Sequence, residues 1–412
     1  MLKRLFDSLL KEGRLTAILP GGREITYGSG EPHITIRLHD RRAVFELATN
    51  PDLKLGELYT DGRLTIENGD IADLLTLLMR NLNVSKPTGL HKIFRTLRRT
   101  LRPLSQFNPA WRSRRNVAHH YDLSGELYAR FLDRDRQYSC AYFPRGDETL
   151  EEAQAAKKRH IAAKLLLDKP GLKVLDVGCG WGGLALDLAR DAGANVLGVT
   201  LSEEQIAVAR ERSEKAHLAD RCRFELVDYR ALTGVYDRIV SVGMFEHVGV
   251  PHYRQFFGKV RQLLADDGVM LLHTIGRLDR PGSTNPWIAK YIFPGGYVPS
   301  LSEVTTAVEK SGLLINDIEI LRLHYAKTLA EWRRRFNAQR ADIAKLYDER
   351  FCRMWEFYLT GAEMAFRHDD QAVFQIQLTK RLGTLPLTRD YMIEAERRMT
   401  FAGAEPRPMR VA

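Results

Sequence analysis

The sequence predicts an α/β fold: a doubly wound parallel sheet preceded by a small α+β unit. Three observations carry this. Between Lys173 and Gly276, short apolar runs alternate with helical patterns, the order that builds parallel sheets because each crossover returns through a helix. The run Val174-Leu175-Asp176-Val177 opens directly onto the turn Gly178-Cys179-Gly180-Trp181-Gly182-Gly183. Before residue 83 the strand signals are shorter and are punctuated by Pro20-Gly21-Gly22 and His39-Asp40.

In order, the α/β part reads as a strand at 174–177, a helix at 184–192, a strand at 195–199 and a helix from Ser202 to about Ala216. Strands follow at 223–227 and 238–242, then a helix at 253–264 and a strand at 269–274. A long helical pattern spans Leu329 to Phe366, with Arg333, Arg334, Arg335 and Arg340 on a solvated face. The segment 373–379 then completes the sheet edge. In the N-terminal unit, 15–19, 34–38 and 43–47 read as strands and 71–82 as a helix. The domains expected are 1–83, a basic docking segment at 84–115, and a catalytic domain at 116–412.

With 412 residues and 44% apolar content, the chain can bury a core in each of two or three domains. Its four cysteines, Cys140, Cys179, Cys222 and Cys352, show neither C-x-x-C nor zinc spacing. No disulfide framework or metal site is therefore expected, and a reducing cytoplasm fits. Asp7 and Lys11 interrupt the first apolar run, which argues against a signal peptide. No apolar run reaches the ~18 residues of a membrane span.

The net charge of +10 is concentrated. No acidic residue lies between Asp73 and Asp122, and that interval holds ten Lys and Arg residues. Leu90, Ile93, Phe94, Leu97, Leu101 and Leu104 recur there at helical spacing. Cations beside an apolar stripe suit an anionic membrane surface, where each contributes about 1 kcal/mol. A nucleic acid would also attract the charge. However, no N-P-P-Y-like motif is present, and the sequence around Glu246 is apolar. The phospholipid bilayer is the expected partner, and nucleic acid is not.

The glycine turn lets backbone N–H groups approach a ligand at a helix N-terminus. Its Asp-x-Gly-x-Gly form, Asp176 to Gly180 with Gly182 beyond, resembles motif I of class I methyltransferases. A dinucleotide fingerprint would place an acid after the second strand; this chain has Thr200-Leu201-Ser202, with Gln205 following. Gln205 could complete a capping box with Ser202 or contact a cofactor. Asp228-Tyr229, after the third strand, suits an adenine: an aromatic face to stack on and an acid for the exocyclic amine.

Six blocks occur in order: His120-Tyr121-Asp122-Leu123-Ser124, Tyr138 to Phe143 (YSCAYF), Val242 to Gly249 (VGMFEHVG), Leu272 to Gly276 (LHTIG), Phe293 to Ser300 (FPGGYVPS) and His324 to Leu329 (HYAKTL). Together they resemble the cyclopropane fatty acid synthase and mycolic acid cyclopropane synthase family over about residues 115–390. The resemblance implies a Rossmann-like, seven-stranded class I methyltransferase. Such an enzyme transfers a methylene unit from S-adenosylmethionine to the cis double bond of an unsaturated acyl chain on membrane phospholipid. It also implies a protein held peripherally at the inner face of the cytoplasmic membrane, and a homodimer. S-adenosylmethionine would lie against Tyr138, Ser139, Asp176, Gly178, Gly180, Gly182, Thr200, Leu201, Gln205, Asp228 and Tyr229. Bicarbonate would be held by Cys140, Glu246, His273, the Ile275 backbone and Tyr325, making Glu246, His273, Tyr325 and Cys140 the catalytic set. His247 would face elsewhere.

That set suits the chemistry. An alkene is a weak nucleophile and attacks a sulfonium methyl only when held in line with water excluded. The cation formed must lose a proton before a ring closes, and a small anionic base held by hydrogen bonds can take it. Aromatic faces stabilise a cation; Tyr142, Phe143, Phe245, Tyr291, Phe293 and Tyr297 are candidates. Some members of the family carry a cysteine where this chain has Ala362, so no nucleophile is offered there. Methyl or methylene branching without ring closure is the alternative outcome.

Overall fold

The structure is a computed structural model and describes residues 2–84 and 124–399. The basic segment, its apolar stripe and most of the His120–Ser124 block lie outside the described residues. Along the chain run α1 (Leu2–Leu9), β1 (Gly13–Ile18), β2 (Glu24–Ser29), β3 (His33–Leu38), α2 (Arg41–Thr49), α3 (Pro51–Thr60), β4 (Leu64–Asn68) and α4 (Ile71–Val84). Then come α5 (Gly125–Phe131), α6 (Leu150–Lys164), β5 (Lys173–Val177), α7 (Gly183–Asp191), β6 (Asn195–Thr200), α8 (Glu203–Lys215), β7 (Cys222–Leu226) and β8 (Tyr236–Val242). The remainder is α9 (Tyr253–Leu263), β9 (Leu264–Arg277), α10 (Pro286–Tyr291), α11 (Leu301–Glu309), β10 (Leu314–Leu321), α12 (His324–Ala338), α13 (Arg340–Leu346), α14 (Glu349–His368), β11 (Gln371–Thr379) and α15 (Asp390–Arg398).

These elements fall into two compact units that are not contiguous in sequence. One comprises Met1–Ser105, Gly282–Pro294 and Leu329–Gln371; the other Gln106–Pro281, Gly295–Thr328 and Ala372–Ala412. Residues 116–412, expected as one catalytic domain, therefore contribute to both.

The first unit is built on a four-stranded sheet in the order β2-β1-β3-β4. Its core includes Leu15, Ile36, Leu38, Leu74 and Met364. The segment 43–47, expected as a strand, is helical. Asp40 caps α2 by accepting the Ala43 N–H at 2.8 Å, and Ala43 and Leu47, one turn apart, are the residues it buries. The long C-terminal helical pattern breaks into α12, α13 and α14, the last capped by Asp348 accepting the Phe351 N–H at 2.6 Å. All four arginines expected on a solvated face are paired: Arg333 with buried Glu363 at 2.9 Å, Arg340 with Glu349 and Glu356, and Arg334 and Arg335 with Glu331 on their own helix, of which only Arg334 is largely exposed. A guanidinium binds planar carboxylates well enough to hold such contacts between helices.

The second unit holds a seven-stranded sheet in the order β10-β11-β9-β8-β5-β6-β7. The pairs β5·β6, β6·β7, β5·β8 and β8·β9 are parallel, and β10·β11 is antiparallel. The expected edge strand β11 is thus interior, and β10, whose alternation Leu314-Ile315-Asn316-Asp317-Ile318 was not read as a strand, forms the edge. The order reverses between β5 and β8, which opens a crevice beyond the carboxyl end of β5. Leu175, Val177, Ile239 and Leu272 bury one face of the sheet, and Val174, Val196, Val240 and Leu271 the other.

Candidate active site

At that crevice the β5–α7 turn wraps a cavity. Of the eleven residues expected at the cofactor, Tyr138, Ser139, Asp176, Gly178, Gly180, Thr200, Leu201, Gln205, Asp228 and Tyr229 line it. Gly182 does not. It turns the chain into α7 at φ +82°, where a Cβ would lie 2.7 Å from the Phe224 ring. Gly180, at φ +54°, has open space where its Cβ would stand, so a ligand can approach its backbone closely.

The cavity's polar groups are partly uncommitted. Asp176 is buried and has no hydrogen-bond partner among the described residues; burial raises its carboxyl to about 7, opposed by Lys157. Gln205 does not close a capping box. Ser202 accepts its N–H at 3.3 Å, but its Oε1 accepts from Thr200 Oγ1 at 2.9 Å, leaving the side-chain NH2 toward the cavity wall. Asp228 is held by Arg230 through both oxygens, at 2.9 and 2.6 Å, while Tyr229 packs edge-on against Phe256.

Four further lining or supporting residues were not anticipated. His247, expected to face elsewhere, lines the cavity, and burial lowers its imidazole to about 4. Arg136 lines it in a left-handed conformation (φ 56°), which a non-glycine residue adopts only where surroundings impose it. Behind Gln137 and Ser139 lies Lys157, fully buried, its Nζ donating to Gln137 Oε1 at 2.6 Å and Ser139 Oγ at 3.0 Å. Burial lowers that ammonium to about 8, and its charge reaches Cys140, Asp176 and His273. Gln375, on β11, is bonded to His273. The one available signal for Lys157 was an alanine-rich helix, α6, with lysines but no distinct polar face.

The second predicted group lies where β9 ends. Glu246 is buried, and its Oε1 accepts the Ile275 N–H at 2.6 Å. Its Oε2 is also buried and has no hydrogen-bond partner among the described residues. Burial raises its carboxyl to about 7, against the pull of the Ile275 and Glu246 N–H groups and the nearby Thr274 hydroxyl, whose hydrogen bond goes to the Ile275 carbonyl at 3.1 Å. His273, two residues before Ile275 on β9, is buried with its imidazole held well below the usual range by burial and by Lys157 and Lys164. Cys140 is fully buried, its thiol pushed up by burial and donating to the Ala141 carbonyl at 3.3 Å. Its segment is tied to the start of α12, which carries buried Tyr325. Ala141 N–H donates to Thr328 Oγ1 at 3.1 Å and Phe143 N–H to His324 Nδ1 at 2.9 Å. The Ile275 N–H, expected to hold bicarbonate, is thus committed to Glu246.

The aromatic candidates separate. Phe245 is core, stacked on Tyr253 at 4.2 Å. Tyr142 stacks on His160 at 4.1 Å, and Tyr297 donates its OH to Glu303 at 2.8 Å. Tyr291 and Phe293 pack within the first unit, against Trp287 and Tyr358. Cys352 is buried beneath the Arg340 carbonyl.

A seven-stranded sheet reversing at a glycine-lined cavity with an acid at the end of its first strand defines a class I S-adenosylmethionine-dependent methyltransferase. The comparisons agree. The family model "Mycolic acid cyclopropane synthetase" matches residues 109–376, and a domain of unknown function matches residues 1–86. The chain belongs to the mycolic acid cyclopropane synthetase family. It is 40% identical to the cyclopropane-fatty-acyl-phospholipid synthase of Escherichia coli K12 over 80% of this chain and 83% of that one. It is 36% identical to a probable fatty acid methyltransferase of Pseudomonas putida over 88% and 92%. Among solved structures, the cyclopropane synthase MmaA2 of Mycobacterium tuberculosis matches with a TM-score of 0.62 and 35% identity, covering 66% of this chain and 99% of that one. The mycolic acid cyclopropane synthase CmaA1, complexed with SAH and CTAB, matches with 0.61 and 36%, covering 66% and 99%.

Proposed function

We propose that the protein is a cyclopropane-fatty-acyl-phospholipid synthase that uses bicarbonate as its general base. The observation that carries this reading is the buried Glu246 Oε2, which has no hydrogen-bond partner among the described residues, while Oε1 of the same carboxylate holds the Ile275 N–H two residues beyond His273 on β9. Buried polar atoms are rarely left unsatisfied, so such an atom suits a small polar ligand. S-adenosylmethionine would supply the electrophilic methyl group, and bicarbonate the base.

The chain's own residues then divide the work. Asp176, with an unpaired carboxylate at the cavity, accepts from the cofactor's ammonium. Thr200 and Gln205 meet ribose hydroxyls, and Tyr229 presents its ring to adenine beside Asp228. Tyr138 and Ser139 form the opposite wall, with Lys157 fixing Ser139 from behind. His273 donates from Nε2, and Glu246 accepts a hydroxyl at Oε2. Ile275 acts through its N–H by fixing Glu246. Cys140, held as a thiol rather than a thiolate, can act as a weak donor only by turning its S–H from the Ala141 carbonyl, and Tyr325 acts as the stronger donor. The E. coli relative's name supports phospholipid acyl chains as the substrate. No helix among the described residues is long and apolar enough to cross a membrane. On this reading the enzyme would reach acyl chains from the surface of the cytoplasmic membrane, with the basic segment as its anchor and a homodimer as the assembled form.

The test is turnover on vesicles of monounsaturated phospholipid in carbonate-depleted buffer. Activity that falls on depletion and returns on adding bicarbonate supports the reading; activity indifferent to bicarbonate contradicts it.

A further inference from the structure

His273 can serve the proposed site only if the proton on its neutral ring is on the nitrogen that faces away from β11. The structure shows what decides this. Gln375 contacts His273 Nδ1 at 3.1 Å through its side-chain Nε2 and contacts Lys164 Nζ at 2.7 Å through its Oε1. An ammonium only donates, so the Gln375 oxygen must face Lys164 and its NH2 must face the ring. An NH2 also only donates, so Nδ1 must be a lone pair and the proton must sit on Nε2.

The orienting cation is itself fixed. Lys164 is buried at the C-terminal end of α6 and also donates to Glu319 on β10. Glu319 accepts from His160 Nε2 at 2.6 Å, and His160 Nδ1 meets Glu396 at 2.9 Å. Two cations, Lys164 and a His160 raised by its two carboxylates, thus face two anions, and the cluster is balanced. Tyr142 stacks flat on the His160 ring, 4.1 Å away and 14° from parallel, closing one side of it. With Lys157, Lys164 and His160 all positive around it, His273 is discouraged from taking a second proton.

We propose that Gln375 is a positioning residue: oriented by Lys164, it locks His273 into the tautomer that donates from Nε2 into the site. The proposal rests on the reading of His273 as a bicarbonate ligand. It adds two residues, Lys164 on α6 and Gln375 on β11, that lie outside the set expected to hold bicarbonate yet set the polarity of its donor.

The test begins with histidine-labelled, ligand-free protein. Long-range proton–nitrogen spectra, with the His273 signal assigned by its loss in His273→Gln, read the tautomer directly. The expected result is a neutral ring protonated at Nε2. A ring protonated at Nδ1, or charged at neutral pH, overturns the proposal whatever the turnover. Gln375→Glu keeps the shape and the Lys164 contact but presents an acceptor to Nδ1. It should move the proton to Nδ1 and lower kcat by about 10²-fold, the lower end of what a positioned proton-transfer group contributes, with S-adenosylmethionine affinity unchanged. Gln375→Met, which packs without bonding, should give mixed tautomers and a smaller loss. If Gln375 only fills space, the two variants behave alike, and that outcome overturns the relay. Should Gln375→Glu fail to fold, Lys164→Met frees the amide to turn and must also give mixed tautomers; an unchanged spectrum overturns the proposal. Wild-type turnover in His273→Gln would instead remove the site reading on which the relay rests, so the two failures read out separately.

Discussion

One oxygen of Glu246 is bound to the Ile275 N–H at 2.6 Å, and the other is buried with no hydrogen-bond partner among the described residues. A side chain held by one oxygen and open at the other is poised to receive, and its burial carries a cost that titration reveals.

Glu246→Gln should keep S-adenosylmethionine binding, read by calorimetry, and lose about 10²–10⁴-fold in turnover, the usual worth of a positioned acid–base group. Its stability should move the other way. In the folded protein burial raises the carboxyl from 4.5 to about 7. Between those values the native state holds a proton that the unfolded chain has released, so the wild type loses stability as pH rises through that window. The glutamine does not titrate. Its melting temperature should match the wild type's near pH 5 and exceed it at pH 8, by an amount equivalent to about 1–3 kcal/mol. A variant less stable than wild type at pH 8 would contradict the burial argument.

Asp176 gives a second signed prediction. Burial raises its carboxyl from 3.8 to about 7. If its anion receives the cofactor's ammonium, affinity should fall below neutrality, by at most about tenfold per pH unit. Asp176→Asn should bind weakly and show a flat pH profile. Binding that stays tight in the Asn variant would displace Asp176 from this role.

The two glycines of the turn should separate fold from ligand. Gly182→Ala drives a Cβ to 2.7 Å from the Phe224 ring in a left-handed conformation, which should destabilise by about 2–4 kcal/mol through strain and overpacking. Gly180→Ala meets only open space and should cost about 1–2 kcal/mol for its backbone, while weakening cofactor binding more than tenfold. Equal effects of the two on melting temperature would contradict the assignment.

The sequence was most legible where local chemistry is self-declaring. A strand running into Gly178-Cys179-Gly180 states its own geometry, and ten of the eleven residues expected at the cofactor line one cavity, Tyr138 and Ser139 among them from the family resemblance alone. It was least legible where tertiary partners decide. Ala43 to Leu47 is apolar enough for a strand, but Asp40 caps it into a helix and Arg63 fixes Asp40 across the unit. β10 carries buried Asp317, which is paired with Arg389 from the turn before α15. Lys164 and Gln375 looked like ordinary polar residues because nothing in a linear pattern shows a buried cation and its acceptor meeting across more than two hundred positions; Lys157 finds its acceptors closer in sequence, at Gln137 and Ser139, but only once the chain has folded back onto α6. His247 was expected to face elsewhere because its neighbour Glu246 was assigned to the bicarbonate set, yet the short helical turn at 245–247 turns His247 to the cavity while Glu246 reaches the Ile275 N–H.

The most direct measurement of the central claim is the structure of bacterial phospholipid acyl chains after expression of this protein. The account predicts that monounsaturated chains gain the mass of one CH2 and that NMR shows a cyclopropane ring at the former double bond, with neither change in cells expressing Glu246→Gln. The same mass gain as a methyl or methylene branch, without a ring, would contradict it.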